Sequence, residues 1–333
     1  MRSNFPFWAA TATMAATLAA APAAFAQANS TGSGQAWPTR QPIKLVAVFP
    51  PGGSVDQVAR ILAPALQQQL GQTVVVDNKG GASGSIGTGA VASAPPDGYS
   101  FAVVFDTHGV NPALIPNLPF DTRKNLAAVA LIGTGAMVLA THADTPYKSF
   151  ADVVAAGRTA QGVSYGSIGS GSLGHLAITL LAKNSQLNLV HVPYRGGGPL
   201  MNDAIAGHVP LSIGSVFLTK PHLDSKRLRA LAVTTSKRSA NLPDVPTVAE
   251  SGFAGFDAPA WWAVLAPAKT PPEIVKRMNE AINAALKLPD VAAKLAGQGI
   301  EVRTGTPQAA QAFIEGQIDV WAKVVRDNNI KAE

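Results

Sequence analysis

Residues 43–49 read IKLVAVF, one lysine among apolar and β-branched residues, which is the pattern of a strand covered on both faces. Pro50-Pro51-Gly52-Gly53 stops that run. Val58, Ile61, Leu62, Ala65, Leu66 and Leu70 then recur at helical spacing. A second strand is predicted at 73–76, ending in the glycine-rich stretch 80–87, and a third at 100–105 after the turn Pro95-Pro96-Asp97-Gly98. The same unit recurs with strands near 163–167, 188–192, 210–213 and 228–233. The C-terminal part is helical, with Pro271-Pro272 opening a helix to about Leu286 and Pro307 opening another to about Val325. Proline suits a first turn because the N–H it lacks has no partner there. Strands alternating with helices predict α/β construction around mainly parallel sheets, and no short internal repeat is evident.

Three glycine-rich loops, 50–54, 80–87 and 166–174, each follow a strand and lead into a helix. A fourth, Tyr194-Arg195-Gly196-Gly197-Gly198-Pro199, follows the strand at 188–192. Helix N-termini at such strand ends present free N–H groups and a partial positive charge, so they can hold a carboxylate or phosphate without arginine. Ser54, Ser167, Ser170 and Ser172 would add hydroxyls. A single loop of this kind is as consistent with an ordinary turn, but four of them point to an anion.

Gly169, Gly171 and Gly174 also fall on the dinucleotide spacing G-x-G-x-x-G. That reading wants an acidic residue about twenty positions later for the ribose, and there is no Asp or Glu between His175 and Asn202. Arg195 facing a 2′-phosphate keeps an NADP-dependent enzyme as an alternative. Neither G-x-x-x-x-G-K-[ST] nor G-x-S-x-G occurs.

The N-terminus adds an address. Met1-Arg2, the apolar alanine-rich stretch to Ala24, and Ala24-Phe25-Ala26 fit a secretory signal peptide over 1–26, cut after about Ala26. A membrane anchor is the competing reading, although Pro22 interrupts the apolar part. Residues 27–39 read as a flexible start, and no later stretch offers the roughly 20 apolar residues of a span. A soluble, exported protein is expected.

Cysteine is absent, which excludes disulfides, thiolate catalysis and iron–sulfur clusters. The 26 basic and 20 acidic residues give +6, and loss of Arg2 with the leader leaves +5. Charged residues are only 14% of the chain and form no basic run, which argues against nucleic acid. The length remaining after the leader suggests two domains.

Catalytic constellations are missing. His108, His142, His175, His191, His208 and His222 make no H-E-x-x-H or close metal pairing. His175, at a helix start, reads as a cap or packing residue before it reads as a base. Asp56 serves either as a cap and dipole partner or to order a ligand. Trp261-Trp262 reads as packing where the chain crosses between domains, with cleft lining as the alternative. No catalytic residue, metal or cofactor is expected.

Taken together, "IKLVAVFPPGGSVDQVARILA" (43–63), "GQTVVVDNKGGASGSIGTGAVASAPPDGYSF" (71–101), "NPAL" (111–114) and "LPFD" (118–121) form a pattern. It continues in "GSGSLGHLA" (169–177), "HVPYRGGGPLMNDAIAGHVPL" (191–211), "LRALAVTTSKRSANLPDVPTVAESGF" (228–253) and "WWAVLAPAKTPPEIVKRMNEAI" (261–282). This resembles the exported solute-binding proteins of tripartite tricarboxylate transporters, the Bug (Bordetella uptake gene) or TctC-type family, over essentially the whole mature chain.

The resemblance implies a two-domain periplasmic-binding-protein fold of type II, the Venus flytrap, each domain a mainly parallel sheet flanked by helices. Domain 1 would comprise 40–138 and 262–333, and domain 2 would comprise 139–261. A ligand carboxylate would be clasped by Phe49, Gly52, Gly53, Ser54 and Asp56 on one side. Ser167, Gly169, Ser170, Ser172, Tyr194 and Gly197 would face it. Asp106-Thr107-His108-Gly109 and "SIGSVF" (212–217) depart from the family's usual residues, so Thr107, His108 and Ser215 are expected at the distal end of the ligand. His108 would either pair with a second carboxylate or be a solvated loop residue.

The ligand classes implied are C4–C6 dicarboxylates, tricarboxylates, amino acids and aromatic acids, with a dicarboxylate or aromatic acid favoured. The expected setting is a monomer in the periplasm delivering its ligand to a membrane transporter. A receptor kinase as the downstream partner is the alternative output.

Overall fold

The computed structural model describes residues 37–331. The expected leader, 1–26, and residues 27–36 of the expected flexible start lie outside the described residues. The chain first forms β1 (Ile43–Ala47), α1 (Ser54–Leu70), β2 (Val74–Asn78), a 3₁₀ turn (Ala82–Gly84) and α2 (Ser85–Ala92). It continues with β3 (Ser100–Phe105), α3 (Thr107–Leu114) and β4 (Leu126–Gly135). Next come β5 (Met137–His142), α4 (Phe150–Gly157), β6 (Val163–Ser167), α5 (Leu173–Ser185) and β7 (Leu189–Pro193). They are followed by α6 (Gly197–Ala206), β8 (Leu211–Ser215), α7 (Val216–Asp224) and β9 (Leu228–Val233). The return comprises β10 (Ala260–Pro267), α8 (Pro272–Lys287), α9 (Pro289–Gly297), β11 (Ile300–Val302) and α10 (Pro307–Asp327).

Among the described residues the strands form two sheets. One has the order β11-β4-β10-β3-β1-β2 and the other β7-β6-β8-β5-β9. The α/β architecture read from the sequence is present, but the sheets are mixed. β1 runs parallel to β2 and β3, and β6 to β7 and β8. By contrast β10 is antiparallel to β3 and β4, and β5 is antiparallel to β8 and β9. The strand–helix–strand units give the parallel pairs, because each crossover helix returns the chain to the same end. The antiparallel pairs are made where the chain passes between sheets. It leaves the first sheet at Ala136 and returns between Val233 and Ala260. Trp261-Trp262 therefore lies inside β10, a central strand, and not in the crossing. Thr234 ties the two passages together, since its Oγ1 accepts from Met137 N (3.1 Å) and donates to the Ala258 carbonyl (2.8 Å).

Helix α1 is seated by the apolar stripe that predicted it. On α1, Val58, Leu62 and Leu66 are fully buried. Burial of each such side chain contributes about 2 kcal/mol. Gly71, at φ 65°, ends α1 in the left-handed conformation that glycine takes without steric cost. Pro272 and Pro307 sit at the first helical positions of α8 and α10.

Candidate functional site

Three helix N-termini meet between the sheets. After β1 the chain runs through Phe49 to Gly53, whose extended backbone (φ −78°, ψ 168°) caps α1. Gly196, at φ 110°, caps α6, which opens at Gly197. Ser215 caps α7, its Oγ accepting the Leu218 N–H at 3.3 Å. Residues from all three starts border one cavity of about 20 Å³, together with Phe49, Val55, Phe105, Met137, Ile168, Ile213 and Leu218. That is the room of roughly one water molecule. No charged side chain lines it, so its polarity comes from the Ser54 and Ser215 hydroxyls, backbone amides and the helix dipoles. Each helix start acts as about half a positive charge. Such an arrangement can hold an anion small enough to sit on amides.

Glycine permits the approach of the two sides. A β-carbon at Gly196 would stand 3.0 Å from Pro50 Cδ, and one at Gly197 would stand 2.5 Å from Leu218 Cδ2. A larger residue at Gly196 would press on the loop after β1, whereas one at Gly197 would meet the Leu218 side chain of α7.

Beyond Phe49 and Ile168 lies an open groove of about 810 Å³, walled by Pro50, Asn78, Ser83, Ser170, Tyr194 and Arg195 among others. The Ser83 hydroxyl crosses it to donate to the Ser170 carbonyl at 2.5 Å, and Asn111 Nδ2 donates to the Ser83 carbonyl at 3.0 Å.

The loop 166–174 is held from behind. Ser167 Oγ accepts the Gly169 N–H (3.2 Å) and shares a 2.7 Å hydrogen bond with His191 Nε2. Ser172 Oγ donates to Ser167 Oγ (3.2 Å) and accepts the His175 N–H, capping α5. The His175 ring stacks on His191 at 4.0 Å, and its Nδ1 accepts the Gly171 N–H at 3.1 Å. His175 is thus a packing and loop-ordering residue in this geometry. Gly171 faces Leu114 across the cleft, where a β-carbon would stand 3.5 Å away. Leu114 of α3 thus stands against Gly171, within the stretch that carries the G-x-G-x-x-G spacing.

Of the residues anticipated from sequence, Phe49, Gly53, Ser54, Gly197 and Ser215 line the cavity. Gly169, Ser170 and Tyr194 line the groove. Tyr194 is tied by its hydroxyl to Asp203 (2.9 Å), and burial together with that carboxylate raises its pKa to about 12. Gly52, Asp56, Ser167 and Ser172 line neither the cavity nor the groove. Burial pushes the Asp56 carboxyl upward, but hydrogen bonds from Arg60 (2.9 Å), Gly52 N (3.0 Å) and Asn78 outweigh it and hold the pKa below the ordinary value. Asp56 accordingly braces the loop at its own helix start.

Thr107 and His108 lie apart from both cavity and groove. They open α3, buried because that helix packs on α10, where Gly109 sits against Gln317 and Trp261. His108 is not a solvated loop residue. Burial lowers its pKa to about 4, leaving it neutral near pH 7. Asp106 beside it is buried, and burial, only partly offset by the Thr107 backbone N–H, drives its pKa well above 3.8.

Sequence reasoning missed Val55, Phe105, Met137, Ile168 and Leu218, whose apolar side chains carry the same signal as core residues. Trp262 is buried directly behind them. Its indole N–H reaches Ser54 Oγ at 3.4 Å, and its ring lies 5.0 Å from Phe105 and 6.2 Å from Phe217. Among the described residues no cluster of His, Asp or Glu is placed to hold a metal ion, and no helix is long and apolar enough to cross a membrane.

Known proteins share this layout. A family profile described as the tripartite tricarboxylate transporter family receptor, TctC, matches residues 58–330. The Bordetella pertussis protein BugT is 37% identical over 302 residues, 90% of this chain and 92% of its own. An R. palustris protein solved with adipate is 35% identical, with a TM-score of 0.84 over 89% of this chain and 99% of that one. MatC from Rhodopseudomonas palustris, solved with bound malate, is 28% identical, with a TM-score of 0.82 over 86% of this chain and 99% of its own. A chain matched this fully by sequence and by fold belongs to the TctC, or Bug-type, family of solute-binding receptors of tripartite tricarboxylate transporters.

Proposed function

We propose that this chain is a periplasmic solute-binding protein that captures a small organic carboxylate between its two sheets and passes it, unaltered, to a tripartite tricarboxylate-type membrane transporter. The two lobes built on those sheets, roughly 40–138 with 262–333 and 139–261, act as the domains that open and close. The observation that carries this reading is the convergence of the α1, α6 and α7 N-termini on a cavity without a charged side chain. Amides and dipoles fixed in advance compensate one carboxylate at no reorganisation cost. Nothing at that point can act as nucleophile and base together. Adipate and malate, found in the related structures, are small organic carboxylates.

A micromolar ligand needs only about −8 kcal/mol, within reach of a few charge-assisted amide contacts and a modest apolar burial. The test is a thermal-shift screen of the mature protein against organic acids, followed by calorimetry on those that raise the Tm. A saturable rise with at least one carboxylate, and none with its amide, is expected. A flat response across acids, or turnover of any of them, would overturn the assignment.

A further inference from the structure

Resting on the carboxylate-binding reading, we infer that Arg195 sets specificity at the outer end of the ligand, pairing with a second anionic group and so favouring dianionic acids over monoanionic ones of the same length. The inner cavity is about 20 Å³, so the body of an acid anchored at the helix starts lies in the groove of about 810 Å³ that shares Phe49 and Ile168 with it. Arg195 is the one charged side chain in the wall of that groove among the described residues. Its guanidinium has neither an ion pair nor a hydrogen bond among them. Arg60 of α1 and Lys79 after β2 are instead taken up by Asp56 (2.9 Å) and Asp77 (3.8 Å). The groove wall therefore carries one unpaired positive charge and no acidic side chain to compete for it.

The backbone on either side of Arg195 is fixed. The Tyr194 N–H donates to the Ser167 carbonyl at 3.0 Å, and the Tyr194 hydroxyl is tied to Asp203 at 2.9 Å. Gly196 comes so near the loop after β1 that a β-carbon there would stand 3.0 Å from Pro50 Cδ. Gly197 opens α6 and borders the inner cavity, and two residues of chain span at most about 7 Å. That short tether puts the guanidinium within reach of the far end of a diacid whose near end sits at the start of α6. A guanidinium meets a carboxylate with two parallel N–H donors. Arg195 is exposed, so the pair stays in contact with water and its effect is a preference of modest size.

Calorimetry tests this with succinate, glutarate and adipate against the monoamides of the same acids, which keep the length and lose one charge. The proteins are the wild-type mature chain and Arg195→Gln, whose Tm should match the wild type because the side chain is exposed and unpaired. The wild type is expected to bind its preferred diacid about three- to ten-fold more tightly than the matching monoamide. Arg195→Gln should close that gap and leave the monoamide within about two-fold of its wild-type affinity. Salt at about 0.5 M should close most of the same gap in the wild type, because an exposed pair is screened. A monoamide as tight as its diacid in the wild type, or a gap that the substitution or the salt leaves in place, would overturn this inference and leave the carboxylate-binding reading standing. An equal loss for diacid and monoamide in the variant would also overturn it, making Arg195 a support of its loop. Silence from all six compounds in the wild type would overturn the carboxylate-binding reading and this inference with it.

Discussion

The Ser83 hydroxyl donates to the Ser170 carbonyl at 2.5 Å, joining the loop after β2 to the loop after β6 across the cleft. Ser83 reaches it from a left-handed backbone (φ 52°, ψ 37°), a conformation disfavoured for residues with a β-carbon. Its own carbonyl is held by Asn111 Nδ2. Were the two lobes to part as proposed, this bond would break, so it would bias the open–closed equilibrium without touching the cavity.

Ser83→Ala removes that bond and leaves the cavity lining unchanged. A net hydrogen bond is worth about 1 kcal/mol, so the affinity for the acid is expected to fall roughly three- to ten-fold through the smaller closed population. Calorimetry reads the affinity, and the radius of gyration of the ligand-free protein should rise. Unchanged affinity together with an unchanged radius would mean that this contact does not govern closure.

Gly53→Asp tests the anion site directly. Gly53 has an ordinary extended backbone and space for a β-carbon, with Pro50 O at 3.5 Å and Gly197 N at 3.8 Å. Aspartate is favoured at a helix N-cap, so the Tm should hold or rise slightly. Its carboxylate would compete for the amides offered to the ligand and repel it. Binding is expected to weaken by more than 100-fold, and near-wild-type affinity would place the carboxylate elsewhere.

Asp106→Asn should stabilise the protein increasingly as pH rises. The folded chain keeps a proton on Asp106 that the unfolded chain releases near pH 3.8, so the wild type loses stability as pH climbs above that value toward the raised folded pKa. The asparagine variant has no such proton to hold. Its Tm advantage should be small near pH 4 and grow toward pH 8. Parallel Tm curves for the two proteins across that range would show that Asp106 does not titrate in this way.

Trp262→Phe should lower stability and affinity together. It deletes the indole N–H that reaches Ser54 and opens space beside Phe105 and Phe217 in a fully buried position. A loss of about 1–3 kcal/mol is expected in denaturant unfolding, with weaker binding because Ser54 and Phe105 lose their backing. A variant as stable as the wild type, and binding as tightly, would leave Trp262 with no structural role at the cleft.

Much of this molecule is local in origin and therefore readable from the chain. The 43–49 run, stopped by two prolines and two glycines, specified β1 and the loop into α1 without reference to any other segment. Pro272 and Pro307 marked their helix starts in the same way. β4 was not legible, because Leu126-Ala-Ala-Val-Ala-Leu carries alanines and leucines that suit a buried helix as well as a strand. The 260–267 strand was hidden by its tryptophans, which read as packing at a crossing.

What only the tertiary structure decided is which ends meet. Gly53, Gly197 and Ser215 are far apart along the chain, and each loop's glycines state merely that a tight turn or close approach occurs there. Their convergence depends on sheet order and on the antiparallel placement of β5 and β10, set by packing between distant segments. The same long-range packing buried Thr107 and His108 under α10 and turned Phe105, Met137 and Ile213 toward the cavity. Sequence periodicity says that a side chain leaves water, and the fold decides whether it then faces other side chains or a ligand.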